Sequence, residues 1–65
     1  MSNITLGILG GGQLGSLLCV AAKKLNIKSI IFSDDKDAPA KNFCNEFVFA
    51  KYNDKNKIYD FSKKV

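Results

Sequence analysis

Apolar residues fall into three short runs, separated by stretches with a different periodicity. Residues 4–9 read Ile-Thr-Leu-Gly-Ile-Leu and end in a glycine cluster. A near-continuous apolar run of this length suits a strand buried on both faces, as in a parallel sheet. Leu14, Leu17, Leu18, Ala21, Ala22 and Leu25 follow at offsets of 0, 3, 4, 7, 8 and 11. That spacing puts all six on one side of a helix. It predicts a helix over 13–25, docked on the sheet through its leucines. The opposite side, with Ser16, Cys19, Val20 and Lys23, is greasier than a solvated face and is expected to be covered by a further element.

The second run spans 27–33, centred on Ile30-Ile31-Phe32, and ends in Asp34-Asp35. Strand, glycine-rich turn, helix and strand within about 30 residues make a βαβ unit with a right-handed crossover. Asp37-Ala38-Pro39-Ala40 comes next, and Pro is well suited to a first helical turn, so a short helix is expected to about residue 44. Phe47-Val48-Phe49 is the centre of a third strand over 46–50. Asn53 and Asp54 can cap a last helix whose inward stripe is Ile58, Phe61 and Val65. The expected order is β-α-β-α-β-α, an α/β protein with a parallel sheet as the middle of three layers. Lys63-Lys64-Val65 reads as the approach to another strand, and three strands leave an open sheet edge. The 65 residues are therefore expected to be the first part of a larger domain.

Composition removes several kinds of chemistry. A chain of 65 residues buries only about 60% of its unfolded surface. With 46% apolar and 25% charged residues it is too apolar for a disordered tail. Two cysteines, no Cys-x-x-Cys pair and no His exclude a disulfide framework and a zinc site. Without His, any catalysis by this chain would fall to carboxylates or Lys. The net charge of +4 comes without a single Arg, and the lysines after residue 50 alternate with Asp54 and Asp60. That pattern describes a solvated surface rather than a nucleic-acid face. The uncharged first 22 residues lack a basic leader and carry Gly7, Gly10, Gly11, Gly12 and Gly15, which spoil a membrane helix. Leu18 is also too large for a lipoprotein cleavage site before Cys19. A cytoplasmic protein without a membrane partner is expected.

The chemistry then rests on the glycines. Gly10-Gly11-Gly12-Gln13-Leu14-Gly15 fits G-x-G-x-x-G, directly after a predicted strand and at the start of a predicted helix. Gly10 permits the turn, Gly12 lets a ligand approach the backbone, and Gly15 lets the helix close on the strand. The helix start presents amides and a positive dipole end, which favour an anion. Asp34 lies 24 residues after Gly10, at the end of the second strand. In a dinucleotide-binding fold an acidic residue there accepts a hydrogen bond from a ribose hydroxyl; equally, Asp34 and Asp35 open a turn. Gln13 is either a solvent-facing residue or a hydrogen-bonding group aimed at the ligand. Cys19, Cys44, Tyr52, Tyr59 and the phenylalanines read as packing residues.

Three segments together resemble one family. They are Leu6-Gly7-Ile8-Leu9-Gly10-Gly11-Gly12-Gln13-Leu14-Gly15, then Asp37-Ala38-Pro39-Ala40, then Ala50-Lys51-Tyr52-Asn53-Asp54. They are similar to landmarks of the N5-carboxyaminoimidazole ribonucleotide synthetases, the ATPase subunit of the phosphoribosylaminoimidazole carboxylase system in purine biosynthesis. The resemblance covers the whole chain but only the start of that family's longer sequence. It implies residues 1–65 as the N-terminal part of a Rossmann-like, pre-ATP-grasp domain, with the ATP-grasp and C-terminal domains absent. It also implies a reaction in which ATP activates bicarbonate as carboxyphosphate and 5-aminoimidazole ribonucleotide is carboxylated. By the same resemblance Gly12, Gln13 and Leu14 contact the ribonucleotide, Gly10, Gly11 and Gly15 shape the loop, and Asp34 stands at its rim. No catalytic or metal-binding residue is implied in this chain. ATP and Mg²⁺ belong to the missing parts of a homodimeric parent, so the 65 residues alone are expected to be inactive. The formate-dependent glycinamide ribonucleotide transformylases share the architecture but typically carry Glu at the position of Gln13. An NAD(P)-binding module and a non-catalytic interaction module stay open beside them.

Overall fold

Five consecutive residues, Ser29-Ile30-Ile31-Phe32-Ser33, are at most 2% exposed, and the rest of the fold is packed around them. The computed structural model describes residues 4–65. Its sheet contains β1 (Thr5–Leu9), β2 (Lys28–Ser33) and β3 (Glu46–Phe49), all parallel, in the order β1-β2-β3. The register aligns Ile8 with Ile31 and Ile31 with Phe47, while Phe32 pairs with Val48. Because side chains alternate along a strand, these rows belong to opposite faces. On one face, Ile8 and Ile31 pack with Cys19 of α1 (Gln13–Lys24) and Ala40 of a 3₁₀ turn (Pro39–Asn42), flanked by Cys44 and Phe47. On the other, Ile30 and Phe32 pack with Phe61 of α2 (Lys55–Ser62), flanked by Val48, Ala50 and Ile58. The result is the expected three-layer α/β arrangement. Full burial of each large side chain contributes on the order of 1.5–3 kcal/mol.

The two buried serines of β2 have their polar groups satisfied. Asn45 Oδ1 accepts from the Ser29 amide at 2.9 Å, and the Asn45 amide donates to the Ser29 carbonyl at 3.0 Å. The Ser33 hydroxyl accepts from the Asp35 amide at 3.1 Å.

Helix α1 corrects one expectation. It meets the sheet through Gly15, Cys19 and Ala22, and not through its leucines. Leu14, Leu17 and Leu25 are 70%, 62% and 67% exposed. The cause is steric: a Cβ on Gly15 would lie 2.9 Å from the Gly10 carbonyl oxygen. A helix held this close to the strand end leaves room only for small side chains beneath it. Cover for Cys19 comes from the sheet and Ala40, whereas Val20 stays 38% exposed. At the other end, Asn26 takes a left-handed φ of 60° and the Ile27 amide returns to the Ala22 carbonyl at 2.8 Å, which closes the helix.

The second expected helix condenses to the 3₁₀ turn. Lys41 and Phe43 amides donate to the carbonyls three residues back, each at 3.0 Å, while the Ala40 amide is taken by the Gly11 carbonyl at 3.0 Å. Asp54 caps α2 as expected, its Oδ1 accepting from the Lys57 amide at 3.1 Å. Phe61 is buried and Ile58 half-buried; Val65 remains half-exposed, with its side chain over Gly7 of β1. Lys64 pairs with Glu46, tying the end of α2 to the start of β3.

That pair has a pH signature. The hydrogen bond from the Lys64 ammonium, reinforced by its charge, holds the Glu46 carboxyl below its usual range. A carboxyl lowered on folding stabilises the fold above its unfolded pKa, and that contribution is lost as pH falls through the folded value. Lys64→Ala is expected to raise the Glu46 midpoint toward the ordinary carboxyl range. A side-chain NMR titration measures it, and an unmoved midpoint would contradict the pairing.

Candidate functional site at the glycine loop

The carboxyl ends of the three strands bring three connections to one rim. Residues 10–12 follow β1, residues 34–38 follow β2, and residues 50–54 follow β3. Open α/β sheets bind ligands at this end. A hollow of about 590 Å³ bounded by Lys23, Asn26, Ile27, Lys28 and Asn45 lies at the opposite end, by the start of β2.

The loop is built by contacts that exclude side chains. Gly10 has φ +109°, a conformation open to Gly, and its amide donates to the Phe32 carbonyl at 2.8 Å. Gly11 is buried against the β2 connection, where a Cβ would meet Ala38 Cβ at 2.5 Å and Ser33 Oγ at 3.1 Å. Gly12 differs from both, since nothing lies within 4 Å of the position its Cβ would take. It stands at the N-cap of α1, with no side chain capping the helix and no acidic residue in the first turn. The first-turn amides and the positive dipole end are therefore left for a ligand anion.

Gln13 and Leu14 are both exposed at this helix start. Gln13 also borders an open groove of about 430 Å³ that it shares with Ser16, Leu17, Val20, Pro39 and Phe43. Asp34 is exposed, one residue beyond Ser33, whose hydroxyl neighbours Gly11. The turn is the work of Asp35: its Oδ1 accepts from the Asp37 amide at 2.9 Å and its carbonyl from the Ala38 amide at 3.1 Å. Asp34 is thus not needed to shape it.

Sequence reasoning missed Tyr52 as a rim residue. Its ring lies 5.8 Å from that of Phe32, and its hydroxyl is 3.9 Å from the position of a Cβ on Gly10. The signal available was its place just after the third strand, at the same end as the glycine loop. The cysteines do not join the site. Cys19 is fully buried, and burial, with Cys19 nearby, pushes the Cys44 thiol up, the opposite of an activated nucleophile. Among the described residues, no three of His, Cys, Asp or Glu converge as a metal cage, and no helix is long and apolar enough to cross a membrane.

The family model of the ribonucleotide synthetase preATP-grasp domain matches residues 3–65. The chain belongs to that family. N5-carboxyaminoimidazole ribonucleotide synthase from Staphylococcus haemolyticus is 37% identical over 60 residues, covering 92% of this chain and 16% of that protein. Phosphoribosylaminoimidazole carboxylase from Ogataea methanolica is 41% identical over 66 residues, covering 98% and 12%. Among solved structures, N5-carboxyaminoimidazole synthetase from Staphylococcus aureus, complexed with ADP, superimposes with a TM-score of 0.91 at 34% identity. That match covers 95% of this chain and 17% of the other. The Thermotoga maritima N5-carboxyaminoimidazole ribonucleotide synthetase gives 0.88 at 33% identity, covering 94% and 17%. This preATP-grasp domain chain thus spans about a sixth or less of the length of these relatives.

Neighbouring glycines of the loop are expected to respond differently to a methyl group. Gly11→Ala forces the Ala38 contact and should cost about 1–3 kcal/mol by overpacking. Gly12→Ala, with φ −76° and open space, should stay within about 1 kcal/mol of the parent. Thermal unfolding of the two variants checks the order, and equal losses would contradict the loop geometry.

Proposed function

We propose that this chain is the substrate-facing N-terminal piece of an ATP-dependent carbon–nitrogen ligase. The enzyme carboxylates 5-aminoimidazole ribonucleotide with bicarbonate in de novo purine biosynthesis. The observation that carries this reading is the open, uncapped start of α1 at Gly12-Gln13-Leu14, in a chain whose relatives bear the synthetase name. Residues 1–65 are the first part of its pre-ATP-grasp domain, and the ATP-grasp and C-terminal domains are further segments of the longer protein.

In this role the chain binds and orients the ribonucleotide. The first-turn amides take its anionic group, stabilised by the helix dipole. Gly12 leaves the backbone bare for close approach, Leu14 supplies an apolar contact, and the Gln13 carboxamide offers both donors and an acceptor. Gly10, Gly11 and Gly15 hold the loop in shape, and Asp34 stands at the rim, able to accept from a ribose hydroxyl. ATP supplies the activation of bicarbonate as carboxyphosphate, and the exocyclic amine of the ribonucleotide is then carboxylated with release of ADP and phosphate. The residues that hold ATP and Mg²⁺ belong to the longer protein. The 65 residues alone are read as lacking carboxylase activity, because the segments that activate bicarbonate lie elsewhere in the longer protein. The longer protein is read as a cytoplasmic homodimer.

Gln13 separates this reading from the transformylase one. A Glu in its place loses the amide donors and adds a negative charge beside the bound anion. In the full-length enzyme, Gln13→Glu is expected to raise the KM for 5-aminoimidazole ribonucleotide about tenfold or more and leave the KM for ATP within twofold. Steady-state kinetics reads both, and an unaltered ribonucleotide KM counts against the assignment. Calorimetric titration with NADH and NADPH tests the dinucleotide reading; tight binding of either would overturn the synthetase one.

A further inference from the structure

The connection from β3 to α2 carries a residue whose position exceeds any packing need. The Ala50 amide donates to the Ser33 carbonyl at 3.0 Å, which ties this connection to the end of β2. The Asp54 amide donates to the Lys51 carbonyl at 3.1 Å, closing a turn with Tyr52 and Asn53 inside it. Both ends of the turn are anchored, because Asp54 also caps α2.

Within it the Tyr52 ring packs on Phe32, with centroids 5.8 Å apart and planes at 45°. Phe32 is itself fully buried and packed on Phe61 at 5.4 Å. The ring is therefore seated on a fixed platform, and the hydroxyl has a set direction. It ends beside Gly10, 3.9 Å from where a Cβ would be, against backbone that carries no side chain. Tyr52 is 43% exposed. Among the described residues no group hydrogen-bonds its hydroxyl. Phe would fill the same space against Phe32, so the hydroxyl is surplus to the fold. What it adds is one oriented donor at the ligand loop, next to the amides that attract an anion.

We propose that Tyr52 is a specificity-determining residue for the ribonucleotide, its hydroxyl donating a hydrogen bond to a ribose-phosphate oxygen of the substrate held over the glycine loop. The inference rests on the synthetase reading above and adds a contact from a different connection of the fold. A donor from the β3 connection and amides from the β1 connection grip the same end of the substrate from two sides. Selectivity then extends to the ribose-phosphate, independently of the base.

Tyr52→Phe in the full-length enzyme that carries this segment tests the proposal, because the ring and its platform are kept. The expected result is a rise of about tenfold or more in the KM for 5-aminoimidazole ribonucleotide, as for the loss of one hydrogen bond to an anionic group. The KM for ATP and the kcat should stay within twofold, and the thermal midpoint should not move. An unchanged ribonucleotide KM, or equal rises in the KM for both substrates, overturns the role of Tyr52 and leaves the synthetase reading standing. If ATP consumption by the unmodified enzyme does not depend on 5-aminoimidazole ribonucleotide, the reading itself falls, and the Tyr52 contact falls with it.

Discussion

The close approach of α1 to the turn that precedes it governs the rest of the molecule. The Gly10 carbonyl and the backbone of Gly15 sit so near each other that no side chain fits between them. From that contact follow the small face of the helix, Gly15, Cys19 and Ala22, and the placing of Ala40 beneath it. The neighbouring contact of Gly11 with Ala38 locks the first two strand connections together, and the Gly11 carbonyl anchors the 3₁₀ turn through the Ala40 amide. Packing density in such a seam leaves little slack. These contacts fix the course of the loop, and Gly12 is left bare where they end.

The strands were legible because each is a short apolar run next to a turn signal, and β2 matched its run from Lys28 to Ser33. The α2 cap at Asp54 was legible for a similar reason, a polar residue standing just before an apolar stripe. Helix α1 was legible as an element but not in its orientation. Periodicity shows that leucines share a side; it does not show which side meets the sheet. The deciding quantity was the distance between helix and strand, and Gly15 was its only trace in the chain. The short helix expected to residue 44 is a 3₁₀ turn, and its first-turn Ala40 amide is held by the Gly11 carbonyl, a long-range interaction no local pattern encodes.

The candidate site divides the same way. The glycines Gly10, Gly12 and Gly15 and the acidic Asp34 were legible as candidates from spacing, since they sit on one βαβ unit, whereas Gln13 and Leu14 were singled out through the family resemblance. Tyr52 lies in the connection after the third strand, and only the parallel order β1-β2-β3 brings that connection to the same rim. The pair Asp34-Asp35 could not be resolved from sequence, because both are short acidic residues suited to turns. Hydrogen bonds separated them: Asp35 is committed to the backbone around it, which leaves Asp34 at the rim.

Cys19 has a consequence of another kind. It is a free thiol with no exposed surface, held between α1 and the sheet, while Cys44 beside it is only half-buried. A thiol reagent reaches a sulfur so placed only when the helix lifts away, so its modification rate counts openings of that seam. The molecule thus contains its own clock for local motion at the glycine loop. A ligand that clamps the start of α1 would slow that clock, making occupancy visible through a residue the ligand never touches.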